Sequence, residues 1–137
     1  MGRWEDEAVD LIYLDPPFKS ERNYNQIFPL GADEAGDAQY RAFEDIWYWD
    51  EAAETRLNNL MRHHVCEDVI GAFEKICPRS RMLSYLTYMA QRLDRCYDIL
   101  KSTGSIYLHC DPTASHYLKI LMDVIFTKNK KGGGISK

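Results

Sequence analysis

No stretch of this sequence approaches the roughly 18 consecutive apolar residues that a helix needs to cross a bilayer. A secretion signal is missing too: Met1-Gly2-Arg3-Trp4-Glu5-Asp6-Glu7 turns acidic at once, with no apolar stretch behind it. The expected location is the cytoplasm, with no membrane partner. Cys-x-x-Cys pairs are also absent. Cys66, Cys77, Cys96 and Cys110 lie 11, 19 and 14 positions apart, so free thiols in a reducing compartment are expected. The adjacent His63 and His64 would point about 100° apart on a helix and cannot easily face one ion. No metal site is expected.

What is present suffices for one lean domain. The 137 residues are 45% hydrophobic and 12% aromatic, enough to build a core, and a charged fraction of 28% argues against disorder. The net charge of −4 conceals an asymmetry. Residues 1–77 carry 7 basic and 17 acidic side chains (−10), whereas residues 78–137 carry 10 basic and 4 acidic ones (+6). A nucleic-acid partner would favour the second half and be resisted by the first. The halves could equally complement each other or a further partner, and charge alone does not decide.

Val9-Asp10-Leu11-Ile12-Tyr13-Leu14 is a short, mostly apolar run of β-formers. It suits a strand covered on both faces, as in a parallel sheet. It halts at Asp15-Pro16-Pro17-Phe18, because consecutive prolines deny backbone donors and fix φ. Residues 19–45 are polar and read as a long surface loop with room for one helical turn. Four aromatics close it: Phe43, Trp47, Tyr48 and Trp49. Residues 50–76 read as helical, broken near His64 or Gly71, with Leu57, Leu60, Met61 and Val65 on one face.

The clearest helix spans about 80–102, where Leu83, Leu86, Ala90, Leu93, Tyr97 and Leu100 recur at intervals of three and four. Lys101 suits the negative end of its dipole, and Gly104 reads as a left-handed cap. Ser105-Ile106-Tyr107-Leu108-His109-Cys110 is a second strand. Asp111-Pro112 reads as an N-cap with proline in the first helical position. The helix after it carries Ala114, Tyr117, Leu118, Leu121, Val124 and Ile125 on one side. Beyond Phe126 periodicity ends. The alternation predicts an α/β layer with parallel strands and flanking helices.

In an open parallel sheet, ligands collect beyond the carboxyl ends of strands, and Asp15-Pro16-Pro17-Phe18 would sit at such an end. Taken alone, the tripeptide Asp-Pro-Pro reads as a strand-ending turn; the apolar strand before it moves the reading toward a site. Its chemistry suits methyl transfer to an exocyclic amine. The lone pair of that nitrogen is delocalised into the base, so its two N–H groups need acceptors. Asp15 supplies a carboxylate and Pro16 a carbonyl aimed by a stiff Pro-Pro unit. Phe18 could stack on a base drawn out of a duplex.

Asp10-Leu11-Ile12-Tyr13-Leu14-Asp15-Pro16-Pro17-Phe18 resembles motif IV of the amino-methyltransferases that modify adenine N6 or cytosine N4 in DNA. Asn23-Tyr24-Asn25-Gln26-Ile27-Phe28, Phe43-Glu44-Asp45 with Trp47 and Trp49, and the run from Gly104 to Thr113 are similar to consecutive segments of the bacterial site-specific, β-class members. The resemblance covers roughly residues 8–126, far more than the motif alone. It implies a partial Rossmann-like methyltransferase domain over residues 1–126; the basic, glycine-rich segment over 127–137, without periodicity, is expected to be a flexible tail. It also implies S-adenosylmethionine as donor, DNA as partner and a restriction-modification setting. Adenine N6 is the expected target ahead of cytosine N4.

Carried onto this chain, the resemblance makes Asp15 and the Pro16 carbonyl the amine-holding pair, with Pro17 setting the loop and Phe18 stacking on the base. Lys19, Tyr24 and Trp47 would line the substrate side, although Tyr24 and Trp47 could instead anchor a loop. The donor pocket would extend over Asp15, His109 and Asp111, the last of which reads equally as a helix cap. Lys19 replaces a frequent asparagine, and Ile46 a frequent small hydroxyl residue.

The larger departure is a missing glycine loop of the Phe-x-Gly-x-Gly kind, which family members use to bind the donor. The one glycine cluster here, Gly132-Gly133-Gly134, follows lysines. In the β-class order that loop comes after motif IV and a target-recognition region, so the expectation is a fragment inactive by itself. A non-catalytic interaction module, or half of a split enzyme completed by a second polypeptide, is the alternative, and self-association into a homo-oligomer could cover the unfinished sheet. A ribosomal RNA guanine amino-methyltransferase is another, although such enzymes place the donor loop before the motif and only 14 residues precede Asp15.

Overall fold

The computed structural model describes residues 5–17, 23–27, 39–44, 47–62 and 66–128. In chain order the elements are β1 (Val9–Leu14), β2 (Asn23–Ile27), β3 (Gln39–Glu44), α1 (Glu51–Leu60), α2 (Glu67–Ile76), α3 (Arg81–Ile99), β4 (Leu100–Leu108) and α4 (Pro112–Lys128). The fold is α/β, a partial Rossmann-like layer in which β1 pairs in parallel with β4 after a crossover through the helices. Strands β2 and β3 form a separate antiparallel pair. The expected loop over residues 19–45 therefore contains two paired strands.

The helices form because their apolar residues recur at helical spacing and their first turns are capped. The Asp50 carboxylate accepts the Ala53 N–H at 2.7 Å, and the Ser80 hydroxyl accepts that of Leu83 at 3.1 Å. The core gathers Leu57 and Leu60 of α1, Ile70 and Phe73 of α2, Leu83, Leu86 and Leu93 of α3, and Leu118, Leu121 and Ile125 of α4. The break in the helical region falls between Leu60 and Glu67, and Gly71 lies inside α2. Val65 lies outside the described residues.

Ring contacts fix the direction of the helices against the sheet. Tyr97, near the end of α3, packs on Phe126, near the end of α4, with centroids 5.6 Å apart. Since α4 starts beyond the carboxyl end of β4 and α3 leads into its amino end, both helices run against the strands. The first turns of α3 therefore lie toward the carboxyl ends of β1 and β4. Among the described residues no helix is long and apolar enough to cross a membrane.

Several sequence-based boundaries move. Helix α3 stops at Ile99, and Leu100 opens β4. The pairing passes from Val9↔Leu100 to Leu11↔Ser105, so five steps along β4 span two along β1 and three extra residues bulge out. Gly104 belongs to that bulge and is not a left-handed cap. A Cβ there would come within 2.6 Å of Leu100 Cδ1 and 3.0 Å of the Lys101 carbonyl oxygen. Lys101 pairs with Asp10 across the strands at 2.8 Å instead of serving the helix dipole. Helix α4 includes Thr127 and Lys128, which were expected in the tail.

Among the described residues, strand β1 is covered on one face only. Ile12 is buried, and Leu14, Ile106 and Leu108 pack against the core, whereas Leu11, Tyr13 and Tyr107 are exposed. The expectation of cover on both faces is not met, because α3 and α4 supply cover from one side.

Candidate active site

The carboxyl ends of β1 and β4 meet at one edge, and two strand-ending segments extend from it. Asp15-Pro16-Pro17 follows Leu14, and His109-Cys110-Asp111 follows Leu108. The His109 N–H donates to the Leu14 carbonyl at 2.8 Å, the bond that closes the Leu14↔Leu108 pairing at the end of the ladder. The residues that follow, Asp15 and His109, stand side by side, with Asp15 Oδ1 3.8 Å from His109 Nδ1. Both side chains are open to solvent, 62% and 55% exposed respectively, so the carboxylate does not pack inward. Pro16 and Pro17 are half-buried, and among the described residues no donor reaches the Pro16 carbonyl.

Asp111 sits at the start of α4, but its side chain does not cap the helix backbone. Its Oδ2 accepts the Thr113 hydroxyl, while Ala114 N–H reaches the Asp111 carbonyl at 3.3 Å. Its Oδ1 is buried and unpartnered among the described residues. Between His109 and Asp111, burial pushes the Cys110 thiol up from the ordinary value, and the Asp111 charge adds to that. Burial also raises Cys96 on α3. Neither thiol is poised as a thiolate nucleophile. Among the described residues no three His, Cys, Asp or Glu side chains gather in a way that could hold a metal ion.

Trp47 packs edge-on against Tyr85 at 5.1 Å and tilted against Tyr88 at 4.7 Å, both on α3. These contacts tie the segment after β3 to the half of α3 nearest the strand ends. Trp49 strengthens the tie: its Nε1 donates to Glu54 at 2.9 Å, and Arg79 pairs with Glu54 at 3.1 Å and Glu74 at 2.9 Å. Arg79 holds a left-handed backbone, φ 45°, in the turn before α3. Nothing in the sequence signalled this network, since neither its spacing nor its arginine marks a turn. Phe18, Lys19 and the side chain of Tyr24 lie outside the described residues; the backbone of Tyr24 pairs with Phe43.

A hollow of about 560 Å³ lies elsewhere, between the end of α1 and the second half of α3, lined by Arg62, Asp94, Arg95 and Asp98 among others. It includes none of the strand-end residues. Chemically, the strand edge offers acceptors: an exposed carboxylate, an open carbonyl and a second, partly buried carboxylate.

An α/β layer with acceptor groups at the ends of adjacent parallel strands places the chain in the class of folds that bind ligands at the strand edge. The chain belongs to the DNA methylase family, whose model matches residues 9–132. It is similar to the StyLTI Mod subunit of a type III restriction-modification enzyme from Salmonella typhimurium, 25% identical over 120 residues. That alignment covers 88% of this chain and 15% of the Salmonella protein. A probable type III HindVI Mod subunit from Haemophilus influenzae is 41% identical over 46 residues, covering 34% of this chain and 6% of that protein. The chain thus spans a small part of these relatives. No solved structure matches. The match is to DNA methylases and carries nothing for the ribosomal RNA alternative.

The described residues fit one end of a sulfonium donor. Asp15 and Asp111 suit a cationic group, and the unpartnered Oδ1 of Asp111 leaves an acceptor to be satisfied. The turns after β1 and β4 contain proline, histidine and cysteine but no glycine. Neither turn has the glycine that lets a ligand approach a backbone most closely.

Proposed function

We propose that this chain carries the amine-holding part of an S-adenosylmethionine-dependent DNA amino-methyltransferase, with adenine N6 ahead of cytosine N4 as target. A base drawn out of the duplex presents its exocyclic amine at the strand edge, and Phe18 stacks on its face. Asp15 accepts one N–H and the Pro16 carbonyl accepts the other. With both hydrogens held, the lone pair turns out of the ring plane, and the carboxylate meets the positive charge that builds on nitrogen. The donor, when bound, supplies an electrophilic methyl group on sulfur. Asp15, His109 and Asp111 line the side on which its cationic end fits, and Lys19, Tyr24 and Trp47 line the DNA side.

One observation carries the reading: Asp15 ends a parallel strand and stands open to solvent with its carboxylate available. The family match and the Mod relatives support DNA as partner and a restriction-modification setting. The donor's remaining contacts come from a further polypeptide segment, in the same protein or a second one, and the uncovered face of β1 and β4 favours such a complement.

The test is titration of the chain with a DNA duplex holding one unpaired adenine, followed by NMR, with unpaired-cytosine and fully paired duplexes beside it. The unpaired adenine binds most tightly, and Asp15→Asn weakens it about tenfold, as expected for losing a charge-assisted acceptor. Equal binding by wild type and Asp15→Asn, or no binding by wild type, overturns the reading. The chain alone transfers no labelled methyl to duplex DNA, since positioning the donor needs protein it does not contain.

A further inference from the structure

We propose that His109 is a positioning residue for Asp15, holding the carboxylate in the orientation that receives the amine; this rests on the amine-holding reading above. The register that sets Leu14 opposite Leu108 is closed by the bond from His109 N–H to the Leu14 carbonyl, and the next residues of the two strands, Asp15 and His109, leave the ladder side by side. The backbone thus fixes where both side chains start. Asp15 is restricted further by Pro16, which biases the residue before it toward extended backbone. The imidazole then stands beside one carboxylate oxygen, Nδ1 to Oδ1 3.8 Å.

That distance exceeds a hydrogen bond, yet it lies within ion-pair range. A carboxylate has about four lone-pair directions, and a partner at 3.8 Å consumes none of them outright. His109 therefore biases the rotation of Asp15 while both oxygens stay able to accept. A closer, fully bonded partner would compete with the amine for the same lone pairs. Cys110 and Asp111 are the neighbouring titratable groups on the histidine's own segment, as Asp15 is on the facing one.

The role is not structural. Exposed pairs of this kind add little to stability, and the backbone bond of His109 survives any side-chain replacement.

A double-mutant cycle tests it, using wild type, Asp15→Asn, His109→Ala and the double variant against the unpaired-adenine duplex, with circular dichroism as the fold control. His109→Ala is expected to weaken duplex binding about fivefold in the wild-type background and to change nothing once Asp15 is replaced, because toward the flipped base the histidine acts through the carboxylate. His109→Gln, which keeps a polar donor at similar reach, restores most of the affinity. Equal losses in both backgrounds would show an independent contact with the ligand and overturn the inference, as would a neutral His109→Ala. A neutral Asp15→Asn is a different failure: it removes the amine-holding reading first and the inference with it.

Discussion

Tyr13 and Tyr107 are register partners on adjacent parallel strands, and both rings are more than half exposed, 65% and 58%. Leu11, on the same face, is 59% exposed. Parallel strands are ordinarily covered on both sides, so this face and the open strand edges seek cover. The isolated chain is expected to associate with itself as its concentration rises, seen as growing mass in light scattering. Tyr13→Glu with Tyr107→Lys restores a monomer and changes folding stability by less than about 1 kcal/mol, since the opposite charges face each other across the strands. A wild-type chain that stays monomeric at high concentration speaks against the face as a docking surface.

Gly104 is expected to resist replacement. Its would-be Cβ meets Leu100 Cδ1 at 2.6 Å and the Lys101 carbonyl oxygen at 3.0 Å. The leucine tip can rotate away, but the carbonyl belongs to the bulge itself. Gly104→Ala should therefore cost about 1–3 kcal/mol, the range for overpacking, read as a lower urea midpoint. Adding Leu100→Ala relieves the side-chain clash alone, so a full rescue would locate the strain in the leucine and not in the carbonyl.

The same bulge shows where sequence reading stopped. The stripe from Leu83 to Tyr97 marks α3 because buried positions recur every three or four residues, and Leu100 continues that interval although it already opens β4. Lys101-Ser102-Thr103-Gly104 has the composition of a helix end, and only the pairing with Val9 and Leu11 turns it into a strand with a bulge. The β2–β3 pair was illegible for another reason. Asn23-Tyr24-Asn25-Gln26-Ile27 is mostly polar, and 11 residues separate it from Gln39, too many for a short hairpin turn. Strand β1 and its proline stop were plain, because an apolar run meeting Pro16-Pro17 has few other outcomes. Asp15, His109 and Asp111 were each visible as strand-end polar residues. That Asp15 and His109 stand side by side depends on β1 and β4 being neighbours, which no local pattern encodes.

Trp47 offers a separation of roles. Its ring packs against Tyr85 and Tyr88, so Trp47→Ala should destabilise the fold by about 2–4 kcal/mol, near the lower end for buried aromatic truncations because the ring is only half-buried. Trp47→Phe keeps an edge contact and should recover more than half of that loss. If thermal unfolding is unchanged in Trp47→Ala while duplex binding falls, the ring serves the DNA and not the anchoring of the segment after β3.

The two raised thiols give the stability a pH dependence whose sign follows from proton linkage. Burial lifts Cys96, and burial with the Asp111 charge lifts Cys110, above the ordinary thiol value of 9.0. In the unfolded chain both ionise near that ordinary value; in the folded chain they keep their protons to higher pH. The unfolded state therefore binds fewer protons between the two values, and stability falls as pH rises through the ordinary thiol value. Below it the contribution is fully present. Urea midpoints measured under reducing conditions at about pH 7.5 and pH 9.5 should show a loss that is smaller in Cys96→Ala with Cys110→Ala than in wild type. The same thiols should react with iodoacetamide at neutral pH more slowly than an unhindered cysteine, because the thiolate is the attacking species. Alkylation as fast as that of a free thiol would mean that Cys96 and Cys110 are less shielded than their positions on α3 and after β4 require.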